Sequence, residues 1–330
     1  MASPSPSADR HEYGSYDELL EDYFDRGWTD GLPVVPPTPE KVAAFLAAAG
    51  LEGAEVLGEV PTREVTVTAE HAAINAVMAG CRPEYMPTVV AAVRAHLHEK
   101  GNCHSTTGTL SGAAQAVIIN GPVRQELDVA CGAGCFGPGF RANATIGRAL
   151  RLVVRNVCRA IPGVLDRASF STPLRYQFCF GEDEECNDWT PMHVERGLSP
   201  DDSAVTVASV MNLLSATDFT SRDPEGICDA ILGVIRSRFI ASDRWLGDGT
   251  NLVLVIGPEH RRFFDRASWS KDDIRSYLWP RLHEDGKNVT GLGRPEGLLI
   301  VAAGGDGMGD SWLLFPHLAW AITEKIEPVR

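Results

Sequence analysis

"AAQAVIIN", residues 113–120, is the stretch that decides the fold class, because it is a short apolar run that ends at Gly121 and Pro122. A second run, "NLVLVI" at residues 251–256, is also followed by a Gly-Pro pair. Short apolar runs bounded by turn residues are typical of buried strands. Helical patterns lie on both sides of each run, so the order of elements predicts an α/β protein.

The elements around the two runs follow one order, which predicts two pseudo-repeated halves, each helix, strand, helix, strand. The first half has helices at 83–97 and 144–157 and closes with a strand at 175–180. The second half has helices at 224–239, 259–267 and 272–282 and closes with a strand at 297–303. We expect an N-terminal arm and helices in residues 1–60, the first half in 61–200 and the second in 201–330. The alternative, that any α/β chain shows such alternation, stays open here.

The N-terminal part contains a proline-rich segment, "DGLPVVPP" at residues 30–37. Proline fixes φ and removes a hydrogen-bond donor, so this segment favours an extended arm that lies across a surface. A helix at residues 16–26 precedes the arm and stops at Gly27. A second helix is predicted to start near Pro39, with Thr38 as its N-cap.

The overall composition excludes several classes of partner. Among 330 residues, 30 are Lys or Arg and 44 are Asp or Glu, for a formal net charge of -14. This excess of negative charge argues against binding to nucleic acid or to an anionic membrane surface. The apolar runs are too short for a membrane span, and the eight cysteines lack the dense spacing of a disulfide framework. We therefore expect a cytoplasmic protein.

A first candidate binding site lies in "GPGFRANATIGRA", residues 137–149. Gly137 and Gly139 shape a sharp turn, and the helix that follows carries Arg141, Asn143 and Arg148. Free N–H groups at a helix start, together with guanidinium groups, are suited to a carboxylate or a phosphate. The alternative is a tight turn with a capped helix and surface arginines.

A second glycine-rich loop, "AAGGDGMGDS" at residues 302–311, follows the strand predicted at 297–303. Loops at the carboxyl ends of strands are common ligand sites in α/β proteins. Gly304, Gly305, Asp306 and Ser311 are therefore candidates to line the same pocket, as contacts to a polar substrate or a cation. A purely structural loop is the equal alternative.

Four residues are candidates for catalysis. Cys81 precedes a helix and neighbours an arginine, an environment that activates thiols. His104, ahead of three hydroxyl residues, is suited to acid–base work. Glu182 and Glu184 belong to the acidic run "GEDEE", where neighbouring carboxylates raise the pKa of one member. The plain alternatives are a buried structural cysteine and a solvated acidic run.

The sequence gives less support to a metal site or to a redox-active cysteine pair than to an anion-binding site. His96, His98, Cys103 and His104 lie within nine positions, but ligands two apart on a helix diverge, so we assign no metal ligand. Cys131 and Cys135 suggest a redox pair or iron–sulfur ligands, although no C-x-x-C pair occurs. The sequence names no cofactor.

Several blocks together resemble a known family. They are "GWTDGLPVVPPT", "CRPEYMP", "FGPGFRANATIGRALRLVVRN" and "CFGEDEE". The chain is similar, over about residues 28–277, to a little-characterised bacterial family often encoded beside proteins with a UGSC motif (selenocysteine or cysteine, then Gly, Ser, Cys). The resemblance implies that Asn120 and the glutamates of the last block line a pocket. The neighbour's motif resembles the active thiol or selenol of reductases, which implies a two-component system.

We therefore expect an enzyme, or the substrate-binding subunit of one, that acts on a small anionic metabolite. Arg141 and Arg148 would neutralise its carboxylate, Asn120 or Asn143 would orient a carbonyl, and Glu182 or His104 would move a proton. The reaction would be a lyase step or the thiol- or selenol-linked reductive cleavage of a C–S or C–N bond with a UGSC-type partner. A stand-alone, metal-independent hydratase or lyase and a non-catalytic scaffold are the alternatives. A homo-oligomer is left open.

Overall fold

A computed structural model describes residues 8–186, 188–237, 250–283 and 292–327, and shows a mixed α/β fold. The helices are α1 (Tyr16–Asp25), α2 (Pro39–Ala49), α3 (Ala69–Ala79), α4 (Met86–Leu97), α5 (Cys103–Thr107), α6 (Val123–Glu126), α7 (Arg141–Asn156), α8 (Met192–Glu195), α9 (Pro224–Ser237), α10 (Pro258–Arg266) and α11 (Lys271–Leu282). The strands are β1 (Val56–Val60), β2 (Val65–Thr68), β3 (Ala114–Asn120), β4 (Cys179–Gly181), β5 (Ala204–Thr217), β6 (Leu252–Ile256), β7 (Leu298–Ala302), β8 (Asp310–Pro316) and β9 (Ile322–Lys325).

Local sequence signals explain where α2 begins and ends. The Thr38 side chain accepts a hydrogen bond from the Lys41 N–H, and Pro39 occupies the first helical position, where its missing N–H costs nothing. The helix ends at Gly50, whose φ of 64° is the left-handed conformation that glycine adopts readily. The predicted N-cap is therefore confirmed.

The main sheet is built around the long strand β5. In the described residues, seven strands form one sheet in the order β4-β3-β5-β8-β6-β7, with β9 also paired to β5. The β3–β4 and β6–β7 pairs are parallel, and all other pairs are antiparallel. The N-terminal half of β5 lies between β3 and β9, and its C-terminal half pairs with β8.

The sheet curls until its two edge strands approach one another. The Asp183 N–H, just after β4, donates to the Ala302 carbonyl at the end of β7 over 2.8 Å. The Gly304 N–H then donates to the Cys131 carbonyl, also over 2.8 Å. These two bonds place the segment after β4 and the segment around Cys131 beside the end of β7. The two glycine-rich loops are therefore in contact.

Strand alternation divides the buried side chains among three clusters. In β3, Ala116 and Ile118 face the inside of the curled sheet, whereas Val117 and Ile119 face outward. The inner cluster takes residues from six strands, β3 to β8. The first outer cluster packs against α2, α3, α4 and α7, and the second against α9, α10 and α11. Helices therefore cover the outside of the sheet, and side chains fill its inside.

The predicted helices and the strands at 113–120, 251–256 and 297–303 are confirmed to within a few residues. The predicted helix at 224–239 runs past the described residues at its last two positions. The strand expected at 175–180 is shorter, because Pro173–Arg175 forms a 3₁₀ turn and only Cys179–Gly181 pairs with β3. Strands β1, β2, β5 and β8 and helix α3 had no sequence prediction. Among the described residues, no helix combines the length and apolar character needed to cross a membrane.

Candidate functional site

The proline-rich segment lies against α7 through an arginine. Arg148 donates two hydrogen bonds to the Asp30 carboxylate, from Nε and Nη2, each over 2.8 Å. Nη2 also donates to the Pro33 carbonyl over 2.9 Å. Both side chains of this ion pair are largely buried. In this structure the Arg148 guanidinium, expected to bind a ligand, is therefore occupied in holding the segment.

The other predicted anion-binding residues at the start of α7 also contact the protein's own backbone. Arg141 is exposed and donates to the Gly80 carbonyl from Nε and Nη2, over 3.2 and 3.1 Å. Asn143 is buried and bonds both the N–H and the carbonyl of Ala130 and the carbonyl of Cys135. Gly139 has a φ of 117°, so only glycine fits this turn without strain. These contacts shape the loop before the helix.

The two glycine-rich loops are in direct contact. Gly305 packs so closely on Ala133 that a Cβ atom on Gly305 would lie 2.3 Å from the Ala133 Cβ. Gly137 closes a turn by donating to the Gly134 carbonyl over 2.8 Å. Within the second loop the polar side chains separate. Asp306 pairs with Arg262 on the surface, and the buried Ser311 bonds His260 over 2.9 Å.

Asn120 and Glu182 meet in a buried polar cluster at the end of β3. Glu182 accepts from Asn120 Nδ2 over 2.6 Å and from the Met192 N–H over 2.8 Å. Its other oxygen accepts from Lys271 Nζ over 2.8 Å, and both side chains of this ion pair are 3% exposed. Lys271 is the first residue of α11, so the ion pair joins this helix to the segment that follows β4.

Glu184 extends the same cluster. It accepts from Asn120 Nδ2 over 2.9 Å and from the Gly121 N–H over 2.8 Å, and it lies 3.2 Å from Arg124 Nε. His193, fully buried, has Nδ1 3.9 Å from Glu184, and neither ring nitrogen has a hydrogen-bond partner in the described part of the chain. Glu182 and Glu184 therefore point inward onto Asn120 and basic side chains, whereas the Glu185 side chain is 54% exposed.

Cys81 and His104 contact residues other than those of this cluster. Burial raises the pKa of Cys81 to about 12, against the smaller lowering effects of a hydrogen bond with Thr145 and the Arg141 charge. That direction disfavours the thiolate. His104 is exposed on α5 and its Nδ1 lies 3.0 Å from Thr62 Oγ1. Cys131 and Cys135 both carry free thiols whose pKa is raised by burial.

A cleft of about 400 Å³ lies beside the C-terminal half of α7 and contains a concentration of arginines. We call it the arginine cleft. It is lined by Asp30, Arg151, Arg155, Ala160, Pro162, Asp166, Phe170, Ser171, Thr172, Pro173, Arg175 and Tyr176.

Arg151 lines the arginine cleft and donates hydrogen bonds to neutral groups. Its Nε donates to the Arg175 carbonyl over 3.1 Å, and its Nη1 donates to the Gln115 side chain. The residue is only 8% exposed. Burial, followed by the positive charge of Arg175, lowers the pKa of Arg151 to about 9. A buried cation with no carboxylate of its own is stabilised by an anion that enters from outside.

Two buried donors beside Arg151 have no acceptor. Arg175 pairs with Asp166 through Nη1 and donates to the Ala113 carbonyl through Nε, which leaves Nη2 without a partner in the described ranges. Gln115 Nε2 is likewise unpaired among the described residues. Among the residues that the structure describes, Arg155 donates only to the Gly27 carbonyl. Of these residues, Arg155 and Arg175 line the arginine cleft, so an anion there would lie beside their guanidinium groups.

One local sequence pattern marks the arginine cleft. Arg148, Arg151 and Arg155 are spaced i, i+3 and i+7 in "RALRLVVR", so α7 places them on one face. The motif "GPGFRANATIGRA" pairs Arg148 with Arg141 instead, toward the start of the helix. Arg175 and Asp166 come from the following loop and had no comparable signal.

No group of three or more His, Cys, Asp or Glu side chains is arranged to hold a metal ion in the part of the chain that the structure describes. No protein-family model, curated protein or solved structure matches the chain. The fold and the side-chain geometry therefore carry the functional argument.

Proposed function

We propose that the chain binds a small anionic metabolite in the arginine cleft, as an enzyme or as the substrate-binding subunit of one. One observation carries the proposal: Arg151 and Arg155 line a cleft of about 400 Å³, and within the described residues their guanidinium groups donate hydrogen bonds only to neutral acceptors. A carboxylate is the favoured ligand group, because guanidinium forms strong, paired hydrogen bonds with it.

Charge in and around the arginine cleft supports an anion. Arg148, Arg151, Arg155 and Arg175 contribute four positive charges, against two negative charges from Asp30 and Asp166. This local surplus lies within a protein of formal net charge -14. A positive region on a negative protein concentrates small anions at that region.

The reaction class is part of the same proposal and rests on the sequence resemblance. A lyase step, or the reductive cleavage of a C–S or C–N bond with electrons from a UGSC-type partner, fits a chain that binds a carboxylate and leaves the reducing thiol or selenol to another protein. We also propose that the chain has two pseudo-repeated halves with an extended arm. Two parallel pairs support this proposal: β3–β4 lies beside the antiparallel strand β5, and β6–β7 lies beside the antiparallel strand β8.

The experiment compares two arginines of α7. Arg155→Gln removes a cleft cation that is only partly buried, and Arg141→Gln removes the exposed arginine at the helix start. Binding of succinate and of inorganic phosphate is measured by calorimetry on the full chain, with thermal unfolding as the check on folding. Loss of a charge-assisted hydrogen bond costs about 1.5–3 kcal/mol, so Arg155→Gln is expected to weaken binding roughly tenfold to 100-fold.

The control decides where the anion binds. Arg141→Gln is expected to leave affinity within about twofold of the parent, since it lies outside the arginine cleft. The opposite result, with Arg141→Gln weakening binding and Arg155→Gln neutral, would return the site to the start of α7. If neither anion binds at millimolar concentration to the parent chain, the proposed function fails.

A further inference from the structure

Two cysteine thiols meet behind the arginine cleft, at a place that the proposed function does not use. Cys103 is the first residue of α5, and Cys158 lies two residues beyond the end of α7. Each thiol shifts the pKa of the other, so the two side chains are neighbours, and the residues are 6% and 0% exposed. Both are free thiols in this structure.

One buried arginine fixes the backbone of both cysteines. Arg63 donates from Nη1 to the Cys158 carbonyl over 2.6 Å and from Nη2 to the Cys103 carbonyl over 3.3 Å. Nη2 also donates to Thr107 Oγ1 over 2.8 Å, and that hydroxyl donates to the Cys103 carbonyl over 2.6 Å. A guanidinium with fixed donors therefore ties together the two chain segments that carry the cysteines.

The surroundings of Cys103 favour its thiolate. A hydrogen bond from the Cys158 thiol, opposed by burial and aided by the charges of His96 and Arg63, lowers the pKa of Cys103. Burial raises the pKa of Cys81, Cys179 and Cys228 instead. Since the thiolate is the reacting form, Cys103 differs chemically from the other buried cysteines.

We propose that Cys103 and Cys158 form a redox-active pair that reduces a peroxide and closes to a disulfide. The Cys103 thiolate attacks one peroxide oxygen, the O–O bond breaks, and Cys103 becomes a sulfenic acid as hydroxide leaves and takes up a proton. The Cys158 sulfur then attacks the Cys103 sulfur, its proton passes to the departing hydroxyl, and water leaves. Two thiols and one hydrogen peroxide thus give one disulfide and two waters. This activity goes beyond the proposed function, because it needs no anion in the arginine cleft.

The experiment treats the full chain with hydrogen peroxide in small molar excess and blocks remaining thiols with iodoacetamide at timed intervals. Trypsin then releases Cys103 in the peptide 101–124 and Cys158 in the peptide 156–159. We expect a disulfide-linked pair of these peptides, formed at least about tenfold faster than oxidation of Cys131 or Cys186. Both of those residues are more exposed, so ranking by exposure alone predicts the reverse order.

Variants separate the two steps. Cys158→Ser keeps a hydroxyl donor beside Cys103 but removes the resolving thiol, so a sulfenic acid on Cys103 should accumulate and be trapped by dimedone. Cys103→Ser should give neither the adduct nor the linked peptides, and Cys228→Ser, in another cluster, should behave as the parent. The proposal would be overturned if Cys131 and Cys186 were oxidised before Cys103. It would also be overturned if the linked peptides were absent from parent protein whose thermal unfolding shows that it is folded. Succinate binding by the same samples keeps this result separate from the proposed function.

Discussion

The cluster around Glu182 and the arginine cleft both collect charged side chains, but they differ in charge balance. Glu182 and Lys271 form a buried ion pair, and Arg124 lies between Glu184 and Glu185. In the arginine cleft, by contrast, Arg151 has neutral hydrogen-bond partners. A balanced buried cluster satisfies its charges internally and fastens segments together, whereas a cluster with surplus cations requires an anion from outside.

The acidic run and the arginines of α7 both differ from what the sequence alone predicts. The acidic run "GEDEE" predicts a proton carrier, whereas in the folded chain the Glu182 carboxylate accepts hydrogen bonds on both oxygens. The sequence predicts an anion site from Arg141 and Arg148 near the start of α7, whereas Arg151 and Arg155, farther along the same helix, line the arginine cleft. Charge balance distinguishes the two environments, and residue type alone does not.

The largest expected effect follows from removing one member of the balanced pair. Lys271→Met leaves the Glu182 carboxylate buried without its cation, so the free energy of unfolding should fall by about 3–5 kcal/mol. Urea denaturation followed by fluorescence measures it. The matched control is Lys41→Met, an exposed lysine, for which little change is expected. A loss below about 1 kcal/mol for Lys271→Met would show that the buried pair contributes no more than a surface one.

The second prediction concerns the pH dependence of anion binding in the arginine cleft. With a pKa of about 9, Arg151 is charged below that pH and becomes neutral above it. Succinate affinity should therefore be constant up to about pH 8 and fall roughly tenfold as the pH rises through 9 to 10, since each unit of pKa corresponds to about 1.4 kcal/mol. Calorimetry across this range measures it. Arg151→Gln should bind more weakly and show no such fall. The same fall in that variant would assign the titration to another group.

The third prediction adds to the cation surplus. Asp30→Asn removes a carboxylate that lines the arginine cleft, so succinate binding should become tighter by about 1 kcal/mol, or roughly fivefold. Asp22→Asn, which breaks an ion pair with Arg26 on α1, is the control and should leave affinity unchanged. Weaker binding in Asp30→Asn would mean that the Asp30–Arg148 pair shapes the site more than its charge opposes the ligand.

The smallest effect is expected on the surface. The Arg262–Asp306 pair has side chains 51% and 62% exposed, so Asp306→Asn should change the free energy of unfolding by less than about 0.5 kcal/mol. Thermal and urea unfolding of the two chains provide the measurement. A loss above about 1 kcal/mol would show that the second glycine-rich loop depends on this pair.

The sequence predicted those parts of the fold that local patterns determine. The Thr38 cap, the helices and the strands at 113–120 and 251–256 each depend on residues within a few positions. Strand β5 was missed because its pairing is set by β8 and β9, which lie far along the chain.

The candidate site divides in the same way. The spacing of Arg148, Arg151 and Arg155 was available in the sequence, because three residues on one helix face are a local property. The partners of the charged residues could not be predicted from local spacing. Asp30 lies 118 positions from Arg148, and Lys271 lies 89 positions from Glu182. Which charges meet depends on tertiary contacts that a single sequence does not encode in its spacing.

The pairing of β5 has a consequence for synthesis on the ribosome. The C-terminal half of this strand ends at Thr217, and its partner β8 begins only at Asp310. At roughly 5–20 residues per second, one side of a long apolar strand remains unpaired for about 5 to 20 seconds after it leaves the exit tunnel. Such an unpaired edge can pair with the strands of other chains, so the risk of aggregation is greatest before the last segments arrive.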